Sequence, residues 1–242
     1  MSDQFLTILP QVLLAAGAGL LGGVIALFWS PNARARSAIQ HFAAGAVLAA
    51  VASGVIPEAE QLGSAFNILS GFAIGGLVMI GLKWIVVNFE RKGKKKGKLP
   101  FGLAIAAAID TLVDGALITA GFFSGQQQLG TLLAVALALE LFFLTLSVGS
   151  EFRKEKSQRW QGLLTTSGIS VLLLIGAFGA SLILRDASDD VIAFGLAFGA
   201  AALIYLTAEE LLVETIQAEN SLLSTAMLFA GFLVLLALKL VS

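Results

Sequence analysis

The sequence predicts an all-α integral membrane protein with eight transmembrane helices. Hydrophobic residues make up 57% of the 242 residues and charged residues only 13%, whereas about 25% is usual in soluble domains. The mean hydropathy is +0.91. Apolar runs of about 20 residues, long enough to cross a bilayer as a helix, recur along the whole chain. From these observations we expect the protein to lie in a lipid bilayer.

The apolar runs form a single transmembrane domain over residues 1–242, joined mostly by short loops. The first run has an acidic start at Asp3 and no basic segment before it, so it is interpreted as a retained span rather than a cleaved signal. The runs lie near residues 5–29, 37–58, 63–89, 99–123, 128–150, 160–184, 190–214 and 221–241.

Basic residues predict the orientation of the chain. Twelve of the 15 Lys and Arg residues lie in the loops after the first, third and fifth runs. Basic loops stay in the cytoplasm, so both termini are expected outside a cell (inner or plasma) membrane. The run at 93–98 is interpreted as part of this topology signal. The absence of cysteine excludes disulfides, thiolate metal sites and catalytic thiols, and neither a prosthetic group nor a nucleic-acid partner is expected.

An internal repeat relates the second and seventh runs. The segment FAAGAVLAAVASGVIPEAEQ from position 42 aligns without gaps with FGAAALIYLTAEELLVETIQ from position 198, an offset of 156 (198 − 42). Glu58 then falls on Glu214, and Gly71 and Gly231 follow at nearly the same offset. Because the two runs cross in opposite directions, helices 1–3 and 6–8 are predicted to form an inverted repeat around helices 4 and 5. Such repeats are typical of transporters with a site near the midplane.

Two carboxylates interrupt the fourth run, LPFGLAIAAAIDTLVDGALITAGFF. Asp110 and Asp114 are one helical turn apart and share a face. A charge at this depth costs roughly 2.5–3.5 kcal/mol on insertion scales. Glu140 lies near the same depth in the fifth run, and the short connection makes the two helices antiparallel neighbours. The three acids are therefore expected to converge at the midplane.

Converging carboxylates predict a divalent cation site, because the ion neutralises them. A proton relay of neutral acids is the rival interpretation, and a static hydrogen-bonded core is the structural one. Glu210 in the seventh run is a further candidate on the path, so the predicted metal-binding residues are Asp110, Asp114, Glu140 and Glu210. Glu58 is either an acid at the outer end of this path or an interfacial side chain. His41 and Lys83 are interpreted as interfacial and snorkelling side chains.

These features resemble the ZIP family of divalent metal transporters over nearly the whole chain. The second run resembles the family's Phe-Ala-Ala-Gly start and Pro-Glu-Ala end, and YLTAEELLVE in the seventh resembles its pattern of Tyr, an acid and Pro-Glu. The family's His-Asn-x-Pro-Glu-Gly motif falls on residues 110–115, where Asp110 takes the ligand His position and Asp114 the ligand Glu position. The resemblance implies a permease, not an enzyme, that moves a divalent metal toward the cytoplasm and often forms homodimers.

The chain departs from the family in its ligands. No imidazole lies among the candidate residues, and an oxygen-only site suits Mn²⁺, Fe²⁺ or Mg²⁺ better than Zn²⁺. The predicted cargo is therefore a divalent metal cation of the Zn, Mn or Fe type, as a substrate. The main alternative is a proton-coupled permease for another solute that uses the same acids. An intramembrane aspartyl protease is disfavoured because it needs aspartates on two helices, whereas Asp110 and Asp114 share one. A membrane sensor or scaffold is disfavoured because no soluble domain is evident.

Overall fold

Eight long helices follow one another in the part of the chain that the structure describes, residues 2–92, 101–154, 159–211 and 222–241. The structure is a computed structural model, and no β-strand occurs within these ranges. The helix positions follow the hydropathy within a few residues. The helices are α1 (Ser2–Phe28), α2 (Ala33–Ala50, continued by Val51–Val55 and Ile56–Leu62), α3 (Ala65–Lys92), α4 (Phe101–Phe123), α5 (Gln127–Lys154), α6 (Arg159–Leu184), α7 (Asp189–Leu206, continued by Thr207–Leu211) and α8 (Leu222–Val241).

Seven of these helices are long and apolar enough to cross a membrane, counted over the described residues. Helix α4 has 23 residues and is not among the seven, so its span stays a prediction. Helices α2, α5 and α7 are the most buried, and α3 and α8 are the least. Large apolar side chains on α3 such as Leu69 and Leu77 are exposed. Exposed apolar faces on outer helices are what a lipid surrounding requires, and the chain is accordingly an all-α, multi-pass membrane protein.

Local chemistry explains several helix ends. Asn32 caps α2, because its side-chain oxygen accepts a hydrogen bond from the Ala35 N–H at 2.8 Å. This cap starts α2 several residues before its apolar run. Gly125, in the turn between α4 and α5, has φ of +88°, a left-handed conformation that glycine adopts without steric cost. The tight turn makes α4 and α5 antiparallel neighbours that pack against each other, as the sequence predicts.

Helix packing follows a paired pattern. Helix α2 packs most extensively against α8, and α7 packs in the same way against α3. Likewise α1 packs against α5, and α6 against α4. If α1 is exchanged with α6, α2 with α7, α3 with α8 and α4 with α5, the α2–α8 pair becomes the α7–α3 pair. The same exchange turns the α1–α5 pair into the α6–α4 pair.

Glycines allow the closest of these contacts. A methyl group built on Gly231 of α8 would lie 2.0 Å from the Phe42 carbonyl oxygen of α2. A methyl group built on Gly75 of α3 would lie 2.5 Å from the Phe198 carbonyl oxygen of α7. Both differences are 156 (198 − 42 and 231 − 75). At this offset Gly231 corresponds to Gly75, whereas the alignment placed Gly71 and Gly231 at nearly the same offset; the inverted repeat itself stays a prediction.

Both α2 and α7 contain a wide π-helical turn at matching positions. The turns cover Val51–Val55 and Thr207–Leu211, again offset by 156 (207 − 51). A lysine reaches each turn from a neighbouring helix: Lys239 donates to the Ser53 carbonyl, and Lys83 pairs with the Glu209 carboxylate. Lys83 and Lys239 differ by the same 156 (239 − 83). Lys83 therefore has a specific partner, which the interpretation as a snorkelling side chain did not include.

Candidate functional site

Asp110 and Asp114 lie inside the helix bundle, with 2% and 1% of their surface exposed. Both belong to α4, where their spacing places them on the same helical face. The backbone beside them is in close contact with α6. A methyl group on Gly115 would lie 2.1 Å from the Leu173 carbonyl oxygen, and one on Gly176 would lie 2.1 Å from that of Leu112. Because Leu112 lies between the two aspartates, this contact holds the acid-bearing turn against α6.

A hydrogen bond strengthens the same contact one turn farther along α4. The Thr119 hydroxyl lies 3.1 Å from the Ala177 carbonyl oxygen of α6 and 3.0 Å from the Gly115 carbonyl oxygen of its own helix. Thr119 is fully buried. A threonine that bonds backbone oxygen inside a membrane bundle satisfies its own hydroxyl and links two helices. The position of Asp110 and Asp114 is therefore set by backbone packing and not by a loop.

Glu140 is buried to a similar degree, with 3% of its surface exposed. It belongs to α5, between the fully buried Leu137 and Leu141. Helix α5 contacts α1 and α4, and its Thr145 hydroxyl donates to the Gly19 carbonyl oxygen of α1 at 2.7 Å. This bond between α5 and α1 corresponds to the one between α4 and α6. Glu140 thus lies in the most buried of the seven apolar helices counted above, next to the helix that carries the aspartates.

Asp110 and Asp114 lie on one helix and Glu140 on a helix that packs against it. Among the side chains that the structure describes, no three from His, Cys, Asp and Glu lie close enough together to hold one metal ion. The Glu210 side chain is outside the described side chains, although its backbone belongs to the Thr207–Leu211 turn. Glu214 lies outside the described residues altogether. The assignment of Asp110, Asp114, Glu140 and Glu210 as metal ligands stays a prediction.

The π-turn of α7 adds a polar atom that sequence reasoning did not single out. Thr207 is 1% exposed, and its hydroxyl oxygen has no hydrogen-bond partner among the described residues. π-turns are rare and occur frequently at functional sites. No sequence pattern marks the turn in α7. The repeat offset from Pro57, which removes a helical hydrogen bond from α2, is a signal that could have pointed to this position.

At the end of the bundle that carries the basic loops, α2 and α5 are joined by an ion pair. The Arg36 guanidinium lies 3.3 Å from a Glu151 carboxylate oxygen and donates to the Ser150 hydroxyl at 3.0 Å. His41 donates through Nδ1 to the Ser37 carbonyl oxygen at 2.8 Å, one turn back on the same helix. This bond fits the interpretation of His41 as a side chain near the helix end.

Comparison with known proteins adds no assignment. No model of a known protein family matches the chain, and no curated protein matches it. What the chain does is therefore argued from its own residues.

Proposed function

We propose that this protein is a membrane permease that moves divalent metal cations toward the cytoplasm. One observation carries the proposal: two aspartates one turn apart are 2% and 1% exposed in a helix of otherwise apolar sequence. Neither α4 nor the membrane part of α5, where Glu140 lies, contains a basic residue. Ionisable side chains inside a membrane bundle are costly and mark ion or substrate paths by default. A divalent cation supplies the positive charge that the carboxylates need.

The second part of the proposal is the architecture: an inverted repeat of α1–α3 and α6–α8 around α4 and α5. It is supported by contacts that recur at the offset of 156, between Phe42 and Gly231 and between Phe198 and Gly75. The matching π-turns and lysine contacts support it independently. Transporters built in this way bind their substrate near the midplane at the repeat interface. Helices α4 and α5, which carry the acids, then exchange places under the repeat operation.

The resemblance to ZIP transporters fits this arrangement, and we propose the chain as a divergent relative of that family. The ligand chemistry differs from a histidine-rich centre, since the four candidate ligands Asp110, Asp114, Glu140 and Glu210 are all carboxylates. Oxygen ligands suit Mn²⁺ and Fe²⁺ better than they suit the softer Zn²⁺. We therefore expect selectivity to lie with the harder ions of the Zn, Mn and Fe group.

The test is uptake into proteoliposomes that contain the purified protein, with Zn²⁺, Mn²⁺, Fe²⁺, Co²⁺ and Mg²⁺ supplied outside. At least one ion is expected to accumulate above protein-free liposomes, with Mn²⁺ or Fe²⁺ faster than Zn²⁺ because the ligands are oxygens. Equal rates with and without protein for all five ions contradict the proposal.

A proton-coupled permease for another solute is the second candidate. It is favoured by the finding that no three acids among the described side chains are close enough to share a metal ion. Acids in a relay pass protons along a path and need not surround one point. A pH-sensitive dye inside the same liposomes separates the two functions. Proton flux that is unchanged by all five metals supports the relay, and proton flux that accompanies metal uptake supports the cation permease.

The orientation is also a proposal, with the three basic loops in the cytoplasm and both termini outside a cell membrane. The chain lacks cysteine, so single cysteines report position without background. Gln127→Cys, at the α4–α5 turn, is expected to react with an impermeant maleimide in intact cells. Lys95→Cys, after α3, is expected to react only after permeabilisation. The opposite pattern reverses the orientation, and the unmodified chain is the control for labelling.

A further inference from the structure

A cavity of about 60 Å³ lies where the end of α2 meets the α4–α5 turn and the end of α8. This end of the bundle is opposite to the basic loops. We name it the Glu58 cavity. Its apolar floor includes Leu129 and Leu132, and its rim carries the amides of Gln61, Gln126 and Gln128. The three glutamines are exposed, so the rim is open to solvent.

Glu58 is the charged acid of this cavity and is itself 4% exposed. Among the described residues its carboxylate makes no hydrogen bond and no ion pair. Removing the water around a carboxylate costs several kcal/mol in proteins unless another interaction compensates the lost hydration. The cavity is also lined by Lys239, and its space has room for more than one water-sized particle, so a ligand that brings its own water fits beside Glu58.

Ser53 lines the same cavity, and its backbone carbonyl lacks the usual helical donor for a reason that the sequence explains. In an α-helix the N–H of residue 57 donates to the carbonyl of residue 53, but Pro57 has no N–H. The π-turn at Val51–Val55 is located at this point. The Ser53 carbonyl accepts instead from the Lys239 ammonium, and both residues line the cavity.

We propose that the Glu58 cavity binds a divalent cation, with the Glu58 carboxylate as its charged ligand. The candidate ligand atoms near this carboxylate are all oxygens, namely the Ser53 carbonyl oxygen and the side-chain amide oxygens of the rim glutamines. Hard divalent cations such as Mn²⁺ and Mg²⁺ prefer oxygen, and Mg²⁺ is commonly held by one or two carboxylates while it keeps several waters. The cavity has room for an ion with a few waters.

Lys239 acts in this proposal as an internal competitor of the cation. Its ammonium occupies the Ser53 carbonyl and adds a positive charge beside the site, and like charges disfavour each other. The related lysine, Lys83, meets the Glu209 carboxylate and not a carbonyl. The consequence is a weak, readily exchanging site at the Glu58 cavity. As the first site on a transport path it rests on the proposed permease function, whereas the binding itself is measured without transport.

The experiment is an equilibrium titration of Mn²⁺ against the purified full-length protein in lipid nanodiscs, with free Mn²⁺ followed by electron paramagnetic resonance. Glu58→Gln is expected to remove one Mn²⁺ per chain or to weaken its binding at least about tenfold, as loss of a ligand does. Glu58→Asp keeps the charge and is expected to retain the ion with lower affinity. Lys239→Met is expected to tighten the same site about tenfold, since a nearby like charge is removed. Glu60→Gln, which changes an exposed acid on the same helix, is the matched control and is expected to bind like the unchanged protein.

Each result decides the proposal. If Glu58→Gln binds Mn²⁺ like Glu60→Gln, the Glu58 cavity is not a cation site. If Lys239→Met leaves the affinity unchanged or lowers it, the competitor role of Lys239 is wrong. The double variant Asp110→Asn, Asp114→Asn separates this proposal from the midplane site. If only the double variant loses Mn²⁺ binding, the midplane site is supported and the Glu58 cavity is not a cation site. If only Glu58→Gln loses Mn²⁺ binding, the Glu58 cavity is supported and the midplane site is not.

Discussion

Metal uptake is expected to fall at least about 100-fold when Asp110→Asn and Asp114→Asn are combined, because two charged ligands are lost and second-sphere changes alone cost 10–100-fold. Asparagine keeps the size and hydrogen-bonding capacity of each side chain and removes the negative charge that holds a divalent cation. Both residues are almost fully buried, so a near-isosteric change is the one least disruptive to packing. The measurement is the initial rate of Mn²⁺ or Fe²⁺ accumulation in proteoliposomes.

Thr111→Val is the matched control for this pair. Thr111 lies next to Asp110 in α4, is fully buried, and donates to the Ala107 carbonyl oxygen at 2.7 Å. Valine has nearly the same shape and loses only that local bond, which is worth about 1 kcal/mol. We expect this variant to transport at a rate close to that of the unchanged protein. Equal transport by the double asparagine variant and Thr111→Val means that the aspartates do not bind the transported ion.

Gly176→Ala is expected to destabilise the folded protein by about 1–3 kcal/mol, the usual cost of overpacking. The added methyl group would lie 2.1 Å from the Leu112 carbonyl oxygen. A backbone oxygen cannot rotate away as a side chain can, so α6 and α4 must separate. Since Leu112 lies between Asp110 and Asp114, the separation also displaces the candidate ligands. We therefore expect lower resistance to unfolding in detergent and slower metal uptake in the variant that still folds.

Gly179→Ala provides the control in the same helix, three residues farther along α6. A methyl group built on Gly179 meets nothing within 4 Å. Alanine is a better helix former than glycine by roughly 0.5–1 kcal/mol, so stability is expected to stay the same or rise slightly. Equal unfolding of the two variants argues that α4 and α6 do not pack through Gly176.

Hydropathy predicted the helices well because a membrane span leaves a long and simple signal. Each of the eight runs coincides over most of its length with a helix of the described residues, and most observed ends there differ from the predicted ones by only a few residues. The main differences arise from local hydrogen bonds, such as the Asn32 cap that extends α2 toward its start. The burial of Asp110, Asp114 and Glu140 was also predicted, because acids at the centre of apolar runs have no route to water.

Features that depend on contacts between distant helices were missed. The π-turns have no composition of their own, and only Pro57 marks the disturbance in α2. The Lys83 contact with Glu209 joins α3 to α7, which residue type alone does not indicate. Small residues recur along every helix, so the sequence paired Gly71 with Gly231 where the contacts favour Gly75. How the acids surround an ion depends on helix rotation, and hydropathy does not determine that rotation.

The matched π-turns also bear on the ancestry of the chain. Such turns occupy well under about 1% of residues in soluble proteins, so two independent insertions at the same register are an improbable coincidence. On the proposed repeat, one extra residue in an ancestral helix, copied when that unit was duplicated, accounts for both Val51–Val55 and Thr207–Leu211. The surroundings then diverged: Pro57 stands in one copy and Val213 at the matching position of the other. On that proposal the extra residue is older than the duplication, and the π-turn of α7 exists without a proline at the matching position.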